Sequence, residues 1–484
     1  MNTNVNHDSA LMMVIPRPED RDSMPSMNAS DFISAFGLDN LDIQTIDIYH
    51  EYDHIYIDIM LNKKPHRCPL CGSVTSKIKA YHLKKIKHSV LNHFPCTINY
   101  NARRYVCPTC GKTFYENNPF TNCRTNLSTA TVYNVLKELR YPQITFTYVA
   151  EKYHLSASTV ANLFDQHIKI KRAQLPECIS FDETYAFKSK QYNSEYICVL
   201  LDYTNKSIVD ILPSRRKSYL FDYFYNIDRK EREMVKYVSF DMWETYRIVA
   251  KHMFPNCVCI VDKFHVLQEL SRKLTRVRVR VMNEQKAILD TLTKKRKDLK
   301  SLDSDLSPDD ICRYKKADEA YYLLKKFNWV MFSSNPAISD PNIEKKKNRK
   351  LNAYLNLNDI YHRITDIDKK LEEACNLHDM MHDFYRNCDH DHAKEELEGI
   401  ISLFTSSNVK EMVEFSNTLR HWKKEIINSF IIIKTINGRM NNALIENRNK
   451  SIKLLKHSSN GYTNWERFRN RVLYCLNGDI VMRG

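Results

Sequence analysis

Ile179-Ser180-Phe181-Asp182-Glu183 ends a short apolar run on acid, and Val238-Ser239-Phe240-Asp241-Met242 does the same further along the chain. Apolar runs of this length that stop at a carboxylate read as buried β-strands whose last residues reach a sheet edge. Around them the pattern sorts into strands Cys178–Phe181, Tyr196–Asp202, Ser207–Pro213, Lys236–Phe240 and Cys257–Val261, with helices at Tyr219–Tyr225 and Thr245–His252. Three strands able to form a meander, followed by alternating helix and strand, give the order of a ribonuclease-H-like α/β layer. In that order the first and fourth strands are neighbours, so Asp182 and Asp241 are expected to share a site.

A third acid lies far away, in Met440–Leu455, a polar and basic stretch of helical spacing. Asn442, Glu446, Asn449, Lys450 and Lys453 fall on one face of that helix, while Ile445 and Ile452 can face a core. Carboxylates from two strand ends and a helix supply the hard oxygen ligands that Mg²⁺ prefers, with substrate phosphate completing the shell. Two such ions (Mg²⁺ or Mn²⁺) suit in-line displacement at a phosphodiester. Between the second acid and the third, residues 271–430 read as an all-α insertion rich in Lys, Glu and Leu, with loops near 302–309 and 334–343. Its His378, His382, Cys388, His390 and His392 offer donors to a transition metal, but the spacing of 388, 390 and 392 suits no common structural zinc site, and the cluster reads as a polar helix end and loop.

A chain of 484 residues exceeds one ordinary core, so several domains are expected. With 8 glycines and neither GxxxxGK[ST] nor GxGxxG, the sequence argues against a Gly-rich phosphate loop and against a nucleotide-driven enzyme. The net charge of +15 is unevenly spread: residues 61–126 hold 12 Lys/Arg against Glu116 alone, and residues 431–484 hold 10 against Glu446, Glu466 and Asp479. Two basic regions flanking a near-neutral body fit a polyanion track, most simply nucleic acid, and double-stranded DNA is the partner the motifs below point to. Residues 11–15 are too short for a signal h-region, and no apolar run is long enough for a membrane span, so the 14 cysteines are expected free in a reducing cytoplasm.

Cys68-Pro-Leu-Cys71-Gly and Cys107-Pro-Thr-Cys110-Gly are two knuckles of four thiols in all, the donor set of a closed, structural Zn²⁺ site. Residues 41–126 therefore read as a zinc-binding module, with Lys84, Lys85, Lys87, Arg103 and Arg104 offered to DNA and residues 1–40 as a loose tail. Residues 127–172 read as a helix-turn-helix: Ser156 can cap a second helix that turns Ser158, Thr159 and Asn162 toward a groove, with His154 near the position where a turn glycine is usual. The first part of the α/β core then spans 173–270, and its final helices span 431–484.

The ordered set — Cys-Pro-x-Cys-Gly twice, helix-turn-helix, Phe181-Asp182-Glu183, Asp241-Met-Trp-x-x-Tyr246, Asp262-Lys-Phe-His265, and Glu446 followed by Asn449-Lys450 and Ile452-Lys453 — closely resembles the DDE transposases of bacterial insertion sequences, the ISL-three family. The resemblance spans roughly residues 43–477. It implies a ribonuclease-H-like core interrupted by a helical insertion, binding to terminal inverted repeats, Mg²⁺-dependent strand cleavage and strand transfer, and a metal-binding triad on Asp182, Asp241 and Glu446. Asp262-x-x-His265 is the competing position for the middle acid, and the resemblance gives it a supporting role along with Asn449, Lys450 and Lys453. The chain departs from the family's frequent Glu-Gly-x-Asn-Asn with Glu446-Asn447-Arg448-Asn449-Lys450. Gly461-Tyr-x-Asn-Trp-x-x-Phe-x-x-Arg471 fits the family tail, where Arg467 and Arg471 are expected on DNA. The implied enzyme works as a homodimer on paired DNA ends, in the bacterial cytoplasm at the nucleoid, without a covalent protein–DNA intermediate. A non-cutting DNA-binding regulator, or an inactive domesticated transposase, would explain the zinc module and the charge but does not require the three acids.

Overall fold

The computed structural model describes residues 41–91, 94–122, 125–188, 194–300, 305–333, 338 and 340–478; the N-terminal tail expected at 1–40 lies outside them. The chain divides into two units, Met1–Arg140 with Phe146–Phe164, and Tyr141–Thr145 with Asp165–Gly484.

In the first unit, β1 (Ile43–Glu51), β2 (His54–Leu61), β5 (Ile78–Leu91), β6 (Phe94–Val106) and β7 (Thr113–Tyr115) form one sheet, ordered β1-β2-β6-β5 with β7 on β6. Ile55, Ile57 and Ile59 recur at every second position of β2 and are buried against Ile86, Ile98 and Tyr100, the period-two signature of a half-covered sheet. β1 and β2 pair as an antiparallel hairpin, Ile48 opposite Ile57. The parallel pairing of β2 with β6, which sets Ile57 opposite Ile98, is a long-range contact with no local signal. Short strands β3 (His66–Arg67) and β4 (Val74–Thr75) pair beside the first cysteine knuckle. Helices α1 (Thr129–Glu138), α2 (Phe146–Lys152) and α3 (Ala157–His167) follow.

The second unit is built on a five-stranded sheet, β10 (Ser207–Leu212), β9 (Ile197–Asp202), β8 (Cys178–Thr184), β11 (Tyr237–Phe240) and β12 (Val258–Val261), in that spatial order. The first three strands are antiparallel, and β8, β11 and β12 run parallel. All strands expected from the sequence are present, most of them within a residue or two of the expected bounds. Every residue of β9 is buried, because the sheet is covered on both sides. Cys198 and Leu200 face a core shared with α4 (Lys217–Tyr225) and α6 (Glu244–Met253); α5 (Arg229–Glu233) lies between those helices in sequence. Ile197, Val199 and Leu201 face α14 (Ala443–Ser458) and α15 (Trp465–Leu476).

The helical segment begins at once after β12 with α7 (Lys263–Lys300) and continues through α8 (Pro308–Lys326), α9 (Leu357–Thr365), α10 (Lys369–Asn387), α11 (Ala393–Ser406), α12 (Lys410–His421) and α13 (Lys423–Asn428). It is not purely α: β13 (Lys346–Asn348) and β14 (Ala353–Leu355) form a small hairpin too short and polar to register as strands. Its apolar side, from Val266 and Leu270 to Phe430, is continuous with the core that covers one face of the sheet.

Candidate active site

Strand parity brings the acids together. Phe181, Phe240 and Val261 point into the core on the α4/α6 side. The next residue on each strand therefore points to the α14 side. Ser180 pairs with Ser239 and Phe240 with Val261 in parallel register. Continuing that register sets Asp182, Asp241 and Asp262 side by side across three strands. The helix α14 then lays its own polar residues over them. Asn449 Nδ2 donates to Asp182 Oδ2 at 2.6 Å, and the Glu183 N–H donates to Asp182 Oδ1 at 2.7 Å. His265, on the first turn of α7, meets Asp241 Oδ1 through Nε2 at 2.7 Å. Glu446 sits in the first turn of α14, half-buried.

Asn442 organises this arrangement. Its Nδ2 donates to Asp241 Oδ1 at 2.8 Å, its Oδ1 accepts from the Ser239 hydroxyl at 2.9 Å, and its backbone N–H donates to Asp262 Oδ1 at 3.2 Å. The sequence pattern put Asn442 on the right helix face but gave no hint of this role. Asp262, His265 and Glu446 each bring a ligand atom within 4.8 Å of the others; Asp182 and Asp241 are not members of that group. Oxygen-rich donors, and the lack of any hydrogen-bond partner for the buried Asp262 Oδ2 among the described residues, fit a divalent cation of the Mg²⁺ class.

Burial, and then the nearby negative Asp241, push the Asp182 carboxyl up from 3.8 to about 7. Burial likewise raises Asp262, against the opposing Asn442 N–H. Burial disfavours the His265 cation, but the bond to Asp241 and the charges of Asp241, Asp262 and Asp182 outweigh it and hold its pKa above the ordinary histidine value. Glu183 is raised by burial despite its ion pair with Arg215, whose guanidinium lies 4.3 Å from the Tyr196 ring centroid and 4.9 Å from that of Trp243. The sequence left this Arg215 bracket unnoticed, because its members come from four separate segments.

Residues 179–472 match a family model described as a transposase, of the DDE type and the ISL3 group, and residues 64–110 match the zinc-finger of transposase IS204/IS1001/IS1096/IS1165. The first match covers more than half of the chain. The chain belongs to the ISL3 family of insertion-sequence transposases. None of the curated proteins compared with this transposase matches it.

The zinc-ribbon module of the transposase carries its four thiols in one cluster. Cys68 Sγ lies 3.6 Å from Cys110 Sγ and Cys71 Sγ lies 3.5 Å from Cys107 Sγ, with all four ligand atoms within 4.8 Å. Both knuckles close the same way: the Gly72 N–H bonds Cys68 O, the Gly111 N–H bonds Cys107 O, and the two glycines have φ of +73° and +70°. Only glycine takes that conformation without strain. Hydrogen bonding with Ser73 holds the Cys71 thiol low, at about 6, so one thiolate is ready at neutral pH. Four thiols converging on one point fit a structural Zn²⁺. His378, His382, Cys388, His390 and His392 do not form a metal-ligating group among the described residues.

Two of the arginines expected on DNA are structural instead. Arg103 is 2% exposed, ion-paired to Glu116 at 3.5 Å, and donates to Asn62 O at 3.1 Å and to Leu61 O. Arg471 is 1% exposed and donates to Ile144 O at 2.6 Å and Tyr141 O at 3.2 Å. Their charges are consumed inside the fold, so neither is presented to a phosphate. Arg467 is engaged by Asp165 at 2.6 Å. Lys85 and Lys87 are exposed on β5, and Lys84 and Arg104 sit over the Tyr115 ring at 5.4 and 5.7 Å. Ser156 caps α3 by accepting the Thr159 N–H at 3.1 Å, and His154 adopts φ of +51° in the turn before it. Ser158 and Asn162 are exposed and Thr159 is half-buried. Lys450 and Lys453 are exposed on α14. No helix among the described residues is long and apolar enough to cross a membrane.

Proposed function

We propose that this transposase binds the terminal inverted repeats of its insertion sequence and cuts and rejoins DNA with Asp182, Asp241 and Glu446 as the metal-binding triad of a ribonuclease-H-like core. The observation that carries the reading is the parity and register that set Asp182 beside Asp241 under the helix bearing Glu446. The sheet order, a three-stranded meander extended by two parallel strands, supports the same core assignment. Two divalent ions, Mg²⁺ or Mn²⁺, supply in such a site a water of lowered pKa and charge stabilisation of the leaving 3′ oxygen.

The chain's own residues do the positioning. Asn449 and the Glu183 N–H each fix one oxygen of Asp182, and Asn442 and His265 share Oδ1 of Asp241. Lys450 and Lys453, one and two turns beyond Glu446, offer charge to the backbone on either side of the scissile phosphate. In the other unit, Lys84, Lys85, Lys87 and Arg104 supply phosphate contacts, and α2–α3 act as a helix-turn-helix with Ser158, Thr159 and Asn162 toward the groove. Pairing two element ends calls for a homodimer on DNA.

The test is cleavage of supercoiled DNA carrying candidate element ends, in Mg²⁺ and in EDTA. Nicks at the ends that need Mg²⁺ and vanish in Asp182→Ala, Asp241→Ala and Glu446→Ala are expected, with end binding retained. Cleavage that survives one substitution removes that residue from the triad. Specific binding without cleavage in the unsubstituted protein would replace the proposal with a DNA-binding regulator.

A further inference from the structure

Asp262 is the most buried acid of the centre, 2% exposed against 7% for Asp182. A residue that merely steadies its neighbours spends its polar atoms on them, and Asp262 spends only one of its two oxygens so. His265, three residues on and the natural object of such support, gives its Nε2 to Asp241 at 2.7 Å, and among the described residues no hydrogen bond joins it to Asp262. Asp262 Oδ1 accepts one bond, from the Asn442 backbone at 3.2 Å. Oδ2 is shut off from solvent and has no partner among the described residues. A buried carboxylate oxygen without a donor is costly unless a cation meets it. What surrounds Asp262 is a further carboxylate and an imidazole: its ligand atom lies within 4.8 Å of those of Glu446 and His265. Two acids this close repel each other, and a divalent cation between them removes the repulsion and supplies the missing partner.

We propose that Asp262 is a metal ligand of the catalytic centre, a fourth carboxylate that shares one divalent ion with Glu446 while Asp182 and Asp241 form the neighbouring pair. This deepens the triad reading above and rests on it. The strand register explains the division: Asp182 and Asp241 end adjacent strands, Asp262 ends the next, and the first turn of α14 brings Glu446 to the Asp262 side. A ring nitrogen within the same group makes the site more welcoming to Mn²⁺ than an all-oxygen site would be.

The experiment counts ions rather than turnover. Full-length protein that keeps its zinc but is freed of Mg²⁺ is titrated with Mn²⁺ and the free ion followed by electron paramagnetic resonance, for the unsubstituted chain and for Asp262→Asn, Asp182→Asn and Glu446→Gln. Asp262→Asn keeps an acceptor for the Asn442 N–H, and its melting curve checks that it folds. Two bound ions are expected in the unsubstituted chain, with one lost or weakened at least tenfold in Asp262→Asn. Normal binding in Asp262→Asn alongside loss in Asp182→Asn and Glu446→Gln overturns the proposal and leaves the triad standing. Normal binding in all three variants, or no bound ion in the unsubstituted chain at millimolar Mn²⁺, overturns the triad as well. Should Asp262→Asn not fold, Fe²⁺ with ascorbate and peroxide on the unsubstituted chain gives the answer: backbone breaks beside 262 are expected. Breaks beside 182, 241 and 446 only overturn the proposal.

Discussion

Asp182→Asn should destroy cleavage and yet stabilise the metal-free protein above neutral pH. The carboxyl is raised from 3.8 to about 7, first by burial and then by Asp241, so the ionised form is disfavoured in the folded state by about 4 kcal/mol. The folded value lies above the unfolded one. The associated stability is therefore fully present below about pH 4, falls as pH rises through the interval from 3.8 to about 7, and is gone above it. At pH 5 only about 1–2 kcal/mol of it has been lost, and at pH 8 nearly all. Asparagine carries no charge and escapes this dependence. The substitution also fits the hydrogen bonding: its Oδ1 can keep the Glu183 N–H, and its amide can donate to Asn449 Oδ1, which has no partner among the described residues, once that side chain flips. The advantage of Asp182→Asn over the unsubstituted chain should thus widen by about 2–3 kcal/mol between pH 5 and pH 8 in EDTA.

Urea unfolding followed by tryptophan fluorescence measures this cleanly, because Trp243, Trp329, Trp422 and Trp465 are all the tryptophans of the chain and all lie in the second unit. Millimolar Mg²⁺ should shrink the pH 8 advantage, since the cation relieves the same repulsion in the unsubstituted chain. An advantage equal at the two pH values, or an Asp182→Asn chain less stable than the unsubstituted one at pH 8, would refute the electrostatic account of the site.

Asn442→Ala removes the side-chain bonds to Ser239 and Asp241 and should cost about 2 kcal/mol of stability, with single-turnover cleavage falling tenfold to a hundredfold while end affinity holds. Arg103→Met leaves Glu116 buried and unpaired and should destabilise the zinc-bearing unit by about 3–5 kcal/mol, read by limited proteolysis. Lys85→Met should leave that stability alone and reduce the salt slope of DNA binding by about one, read by titrations at several salt concentrations. Metal analysis should find one zinc per chain at the four-cysteine cluster, and Cys107→Ser should drop it below half and expose residues 64–116 to protease.

Parity and spacing are local properties, and what they govern was readable from sequence. Phe181, Phe240 and Val261 each precede an acid, and alternation alone then turns the three acids to one side of the sheet. The cysteine knuckles carry their own geometry in the glycine that follows each pair. Partnership is not local. Arg103 counted as surface charge because nothing in its neighbourhood shows that Glu116, thirteen residues on, folds back against it beneath a pair of carbonyls. Arg471 likewise finds its acceptors on residues 141 and 144. An unpaired buried oxygen is the extreme case, because it is defined by what fails to approach it. Asp262 has the same residue type, the same strand-end position and the same facing as Asp241. What distinguishes them is that Asp241 is held by Asn442 and His265, whereas Asp262 Oδ2 has no partner among the described residues. A satisfied carboxylate can shape a site without metal. An unsatisfied one in a dry place is costly in its ionised form and gains most when a cation meets it, and that asymmetry makes Asp262, rather than the better-connected Asp241, the sharper probe of where the ions bind.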